Sequence, residues 1–165
     1  MGKALAGGDN PTGILTVDLH DYAPEQSFVV FDLKELLFHG LILKEKEFKE
    51  GLATMDWNQF QDQWVAVTCS EDAIIPPWAY MMVASKLHGL AARVQFGDAH
   101  ALYVQAWQER LTQSDFSHLK GEKVVVRASP GLDPALYTAI THLLMPLVKG
   151  LMYGEAGLPK VIAKN

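Results

Sequence analysis

The chain has 165 residues, 49% of them apolar and 20% charged, with a formal net charge of −5. That length and balance suit a single globular domain, residues 1–165, with a core of its own. An acidic chain without a Lys/Arg cluster lacks the basic face that nucleic acid requires, so no nucleic-acid partner is expected.

One cysteine, Cys69, excludes an internal disulfide framework and any multi-cysteine zinc site. The longest apolar runs are broken by Pro76, Pro77 or Pro146 and are too short to span a bilayer, so no membrane partner is expected. The first residues carry no apolar stretch of the secretory kind, which makes the expected location cytoplasmic.

Residues 1–12 are small and polar, with Gly7-Gly8 and Asn10-Pro11, and read as a loose lead-in. Ile14 to Leu19 and Phe28 to Phe31 alternate well enough to be strands. Tyr22-Ala23-Pro24 between them suggests that they pair as an antiparallel edge. Asp32-Leu33-Lys34-Glu35 has capping-box spacing for a short helix that Gly40 could close. Lys44 to Leu52 reads as a helix with Phe48 and Leu52 inward, and with Glu45–Lys49 and Lys46–Glu50 paired on its outer side. Asp56 and Asp115 each precede a short helical turn that drops Trp57 or Phe116 into the core.

Val65-Ala66-Val67 and Val124-Val125-Val126 are short continuous apolar runs, the pattern of parallel strands covered on both faces. After each comes a helix opened by proline, at Pro77 and Pro134, where the first turn needs no N–H. The spacing predicts a stripe of Trp78, Met81, Met82, Ser85, Leu87 and Ala91 in the first helix. In the second the stripe is Leu136, Ile140, Leu143, Leu144 and Leu147. Pro146 should end or kink the second helix near Met145. Ala99 to Thr112 reads as a further helix, capped by Asp98 and packing Leu102, Ala106 and Trp107.

Residues 56–98 and 115–155 therefore form a candidate internal repeat. Ser70 matches Ser129, Tyr80 matches Tyr137, Leu87 matches Leu144, Leu90 matches Leu147, and Phe96-Gly97-Asp98 matches Tyr153-Gly154-Glu155. The expected fold is α/β: a largely parallel sheet built from two similar βαβ units with an N-terminal antiparallel edge.

The run Thr68-Cys69-Ser70-Glu71-Asp72-Ala73-Ile74-Ile75-Pro76-Pro77-Trp78-Ala79-Tyr80-Met81 resembles a small bacterial family of unknown function. Leu37 to Lys46, Phe96-Gly97-Asp98 and Met152 to Glu155 support the likeness, which extends from about Ile14 onward. Pro77 departs from the small polar residue expected there, which removes a side-chain cap at that place. The family has no assigned activity, so the resemblance implies no mechanism and no cofactor.

In parallel α/β sheets, ligands sit beyond the carboxyl ends of the strands, above all where strand order reverses. Those ends carry Cys69, Ser70, Glu71 and Asp72 in the first copy, and Arg127 and Ser129 in the second. Asp98 and Glu155 follow the return strands. If the two copies bring these loops together, they would line one pocket for a small polar molecule, with Trp78 and Tyr80 as walls. Cys69 is the one candidate nucleophile, yet Glu71 and Asp72 nearby oppose a thiolate, and an inert buried cysteine is the preferred reading. Asp18 with His20, and Asp98 with His100, have ordinary roles on a strand face and at a helix start, so no metal set is assigned. No Gly-x-Gly-x-x-Gly, phosphate-binding loop or Gly-x-Ser-x-Gly elbow is present. Besides ligand binding, two readings remain open: a thiol- or metal-dependent enzyme at the same loops, and a homo-oligomeric interaction protein built on Trp57, Trp64, Trp78 and Trp107.

Overall fold

The computed structural model describes residues 11–165, so most of the lead-in expected over 1–12 lies outside the described residues. The fold is α/β, as expected. Among the described residues it has four α-helices and two sheets, largely parallel, with one antiparallel pair. The chain divides into two compact units. One comprises residues 25–103, and the other joins residues up to 24 with 104–165.

In the unit of residues 25–103, β2 (Phe28–Asp32), β3 (Trp64–Thr68) and β4 (Arg93–Phe96) form a parallel sheet in that order. A short 3-10 turn, Leu33–Leu36, and α1 (Glu45–Thr54) connect β2 to β3, and α2 (Pro77–Leu87) connects β3 to β4. Because the strands run in sequence order, right-handed crossovers put both helices on one face. The core agrees: Phe48 and Leu52 from α1, and Ala79, Val83 and Leu87 from α2, bury with Phe31, Val65 and Val67. Trp57 lies against Phe31 with ring centroids 5.5 Å apart and planes within 7°, and its indole N–H donates to the Leu52 carbonyl at 2.9 Å. Glu45 and Lys49 pair at 2.5 Å on the solvent side of α1, as their spacing suggests.

In the other unit, β1 (Ile14–Val17), β5 (Lys123–Arg127), β6 (Gly150–Gly154) and β7 (Lys160–Lys164) form the second sheet in that order. The first three are parallel, and β7 returns antiparallel to β6 with a bulge at Leu151/Met152. Here α4 (Pro134–Leu144) joins β5 to β6 and buries Leu136, Ile140 and Leu144, while Pro146 ends it at Met145. The helix α3 (Ala99–Gln113) precedes β5. Its Trp107 is buried, with the indole N–H donated to the Leu19 carbonyl at 3.0 Å.

Three expectations are corrected. The two βαβ units do not share one layer of strands, since each closes its own sheet. Among the described residues there is no N-terminal antiparallel edge either: β1 pairs in parallel with β5 and β2 in parallel with β3, and the antiparallel pair of strands is β6 with β7. Tyr22-Ala23-Pro24 ends a 3-10 turn and is no hairpin. Finally, α2 buries Ala79, Val83 and Leu87, one residue round from part of the expected stripe, so Met81 points outward at 70% exposure. A helix apolar on nearly every side has no stripe to read, and its orientation is decided by what it packs against.

The correspondence between units is wider than the sequence match. β1 with its 3-10 turn Leu19–Tyr22 parallels β2 with Leu33–Leu36. The capping residues Asp18 and Asp32 have φ/ψ of −100/117 and −99/117, and each side chain accepts from the N–H two residues on. Gly97 and Gly154 end the return strands at φ 141 and 119, a backbone region that side chains avoid.

Candidate functional site

The site residues proposed from sequence fall into two groups. Cys69, Ser70, Glu71, Asp72, Trp78, Tyr80 and Asp98 belong to the unit of residues 25–103, and Arg127, Ser129 and Glu155 belong to the other. Neither sheet reverses its strand order among its parallel strands, so neither has the crevice that such a reversal opens.

At the carboxyl end of β3 the organising residue is Asp32. Its Oδ1 accepts from the backbone N–H groups of Lys34 and Ser70, both at 3.0 Å, and its Oδ2 lies 3.8 Å from the Lys34 ammonium. Burial pushes this carboxyl upward. The Ser70 hydroxyl, the two N–H groups and the Lys34 charge outweigh it, and the net pKa is lowered. Sequence reasoning gave Asp32 only a capping role. The bond to Ser70 follows from strand register, because Asp32 pairs with Thr68, and no short sequence window contains that information.

Cys69 is partly buried, with its Sγ 3.6 Å from the Glu71 carbonyl. It is therefore neither sealed in the core nor open at the surface. Glu71 and Asp72 are exposed on the loop. Trp78 turns toward α1, edge-on to Phe48 at 5.8 Å, and serves the core. Asp98 caps α3 by accepting from the Ala101 N–H at 2.9 Å.

In the other unit Arg127 Nη1 meets Asp18 Oδ2 at 2.9 Å, the counterpart of the Asp32 corner. Asp18 is thus a turn cap with a guanidinium partner, and does not stand on a strand face beside His20. Ser129 is bound through its backbone: its N–H donates to the Tyr137 hydroxyl at 3.0 Å, and that hydroxyl donates to its carbonyl at 3.1 Å. Glu155 is exposed in the turn between β6 and β7.

Tyr80 leads to a surface that sequence reasoning missed. Its ring stands edge-on to Phe96 at 5.1 Å, as Tyr137 does to Tyr153 at 5.6 Å. Burial, then the nearby Cys69, raises the Tyr80 phenol above its ordinary range. Beside this pair runs an open trough of about 250 Å³, lined by Val67, Tyr80, Met81, Ala84, Val94, Gln95 and Phe96. Phe96 is 69% exposed. The trough follows the outer edge of β4, which pairs only with β3 among the described residues. Its signal in the sequence was the apolar residue in excess of what one helix face can bury.

A family described as "Protein of unknown function (DUF2480)" matches residues 10–162. The chain belongs to the DUF2480 family. No curated protein and no solved structure matches it. Membership in DUF2480 covers both units and assigns neither a reaction nor a ligand. Among the described residues no three His, Cys, Asp or Glu side chains gather as metal ligands, and no helix is long and apolar enough to cross a membrane.

Proposed function

We propose that this protein is a non-catalytic protein-association module whose working surface is the trough between α2 and the outer edge of β4. One observation carries this reading: two large apolar side chains, Met81 and Phe96, stand exposed at an apolar hollow along the edge of β4, to which no further strand is added among the described residues. Solvated apolar surface of this kind is costly in isolation and characteristic of contact sites. A strand edge adds unmet peptide groups to it. The hollow is too open and too apolar to orient a small polar molecule, which needs converging donors and acceptors. We further read the matching element order of the two units as an internal duplication in which one copy is inserted after the first strand of the other.

The test is the fluorescence of an anilinonaphthalene sulfonate probe added to dilute protein. The wild-type chain binds the probe, and Met81→Lys and Phe96→Lys each abolish the signal without loss of secondary structure. Equal binding by all three proteins, or no binding by any, overturns the reading.

A second reading keeps the small polar ligand and confines it to the Asp32 corner. What favours it is a carboxylate with the Lys34 ammonium 3.8 Å away and the Ser70 N–H bonded to it, at the start of the loop that carries Glu71. Titration calorimetry with small anions and amines tests it, and Asp32→Asn should remove any heat observed.

A further inference from the structure

We propose that the occupant of the trough is a second copy of this chain, joined β4 to β4 across a twofold axis at Gln95. The inference rests on the association reading above and names the partner. Its starting point is which peptide groups of β4 are unspent. The N–H groups of Ala92 and Arg93 both bond the Gln63 carbonyl, and that of Gly97 bonds the Val67 carbonyl. In a parallel ladder, alternate residues face alternate neighbours. Arg93, Gln95 and Gly97 therefore face β3, and the N–H and C=O of Val94 and Phe96 face outward.

An antiparallel partner related by a dyad must place like faces together, so the axis passes through a residue. With the axis at Gln95, Val94 of each copy lies opposite Phe96 of the other. These are the residues with outward peptide groups, and each pair exchanges both backbone hydrogen bonds. With the axis at Val94, Ala92 would face Phe96, and the Ala92 N–H is already committed to Gln63. The axis at Gln95 is thus the one that pairs the two outward-facing residues of β4 with each other.

Side chains agree with this choice. On the helix side, each Val94 packs on a Phe96, closing the trough beneath Met81 and Ala84. Met81, Ala84 and Ser85 are exposed along one side of α2, with His88 just beyond its end, and none of them is Lys, Arg, Asp or Glu; the exposed Lys86 lies outside that stripe. A charged residue near a dyad meets its own copy, so this uncharged stripe permits a symmetric approach of two α2 helices. On the opposite face Arg93 comes opposite Gly97, which has no side chain to obstruct it. The edge strand β7 provides the contrast. Pairing Lys160–Lys164 about Ile162 would set Lys160 against Lys164 twice, the device by which edge strands resist pairing.

Sedimentation of the full chain across the micromolar range should show reversible passage from one chain to two. Phe96→Lys should weaken association by about tenfold or more, as expected for an anchor at the centre of an interface. Val161→Lys, on β7, should leave it unchanged. In a Cys69→Ala background, Gln95→Cys should cross-link to a covalent dimer under mild oxidation, because facing residues of a non-hydrogen-bonded pair come within disulfide reach. A single-chain mass throughout overturns the proposal, as does a dimer that resists Phe96→Lys and yields to Val161→Lys. A monomer whose probe fluorescence is still lost on Phe96→Lys sinks the second copy alone and leaves the association surface standing. A monomer that binds no probe sinks both.

Discussion

Asp62 and Gly121 occupy the same place in two similar turns. Both have left-handed backbone, at φ 59 and 76, and their N–H groups donate to the Leu90 and Leu147 carbonyls at 3.0 and 2.8 Å. The following residues, Gln63 and Glu122, use their carbonyls alike, each receiving two successive N–H groups from the start of the return strand. This turn sets the register between the central strand and its neighbour in each unit, and one unit performs it with a residue that resists the conformation.

Asp62→Gly should therefore stabilise the protein by about 0.5–1 kcal/mol, since relief of the left-handed strain exceeds the entropy that glycine adds to the unfolded chain. Gly121→Ala should destabilise it by about 1 kcal/mol or more. Urea midpoints at constant slope measure both changes. A loss of stability in Asp62→Gly would show that the exposed bond from Gln61 to the Asp62 carboxylate, at 2.9 Å, outweighs the backbone.

Phe48 is the largest side chain among those fully buried, and Trp78 stands edge-on to it at 5.8 Å. Phe48→Ala should cost about 3–5 kcal/mol, the range for emptying an aromatic site in a packed core. Thermal unfolding followed by Trp fluorescence reads the loss. A cost below about 1 kcal/mol would mean that α1 collapses into the gap without consequence.

Trp107 tests a buried polar contact. Trp107→Phe keeps an aromatic ring but removes the donor to the Leu19 carbonyl, and a buried acceptor without its donor costs about 1–3 kcal/mol. Trp57→Phe removes a similar bond, to the Leu52 carbonyl at 2.9 Å, where the indole is only partly buried. The second change should cost less than the first in the same urea experiment, because water can replace the lost donor.

Local patterns made much of this architecture readable in advance. The valine runs, the prolines at the starts of α2 and α4, Asp98 ahead of α3 and Pro146 behind α4 all act within a few residues, and all behave as their chemistry suggests. What lay beyond reach depends on contacts distant in the chain. Ile14–Val17 pairs with a strand more than a hundred residues later, and the intervening unit builds a separate sheet, which no window of alternating residues reveals. That the polar loop residues follow strand ends is legible in the sequence. Their partners, Asp32 for Ser70 and Asp18 for Arg127, come from strands judged only as an edge. The Met81–Phe96 surface was hidden for another reason: its residues are those from which a core would be predicted.

The Asp32 corner yields a prediction with a defined pH dependence. Its folded pKa is lowered, against an unfolded carboxylate at about 3.9, so the ionised form is the one that the native state favours. That contribution is complete above the unfolded pKa and is lost as pH falls through the folded one. Asp32→Asn keeps the size of the side chain but removes its charge, and it should be less stable than the wild type at neutral pH. The gap should narrow as pH drops below about 4 and close once the wild-type carboxyl is itself protonated. Asp18→Asn gives a useful comparison, because Asp18 is held in part by the half-exposed Arg127 guanidinium, and an ion pair in water contributes little. Denaturant midpoints measured from neutral to acid pH separate the two. If the Asp32→Asn deficit stayed constant with pH, the stabilisation would reside in the shape of the turn and not in the charge of its cap.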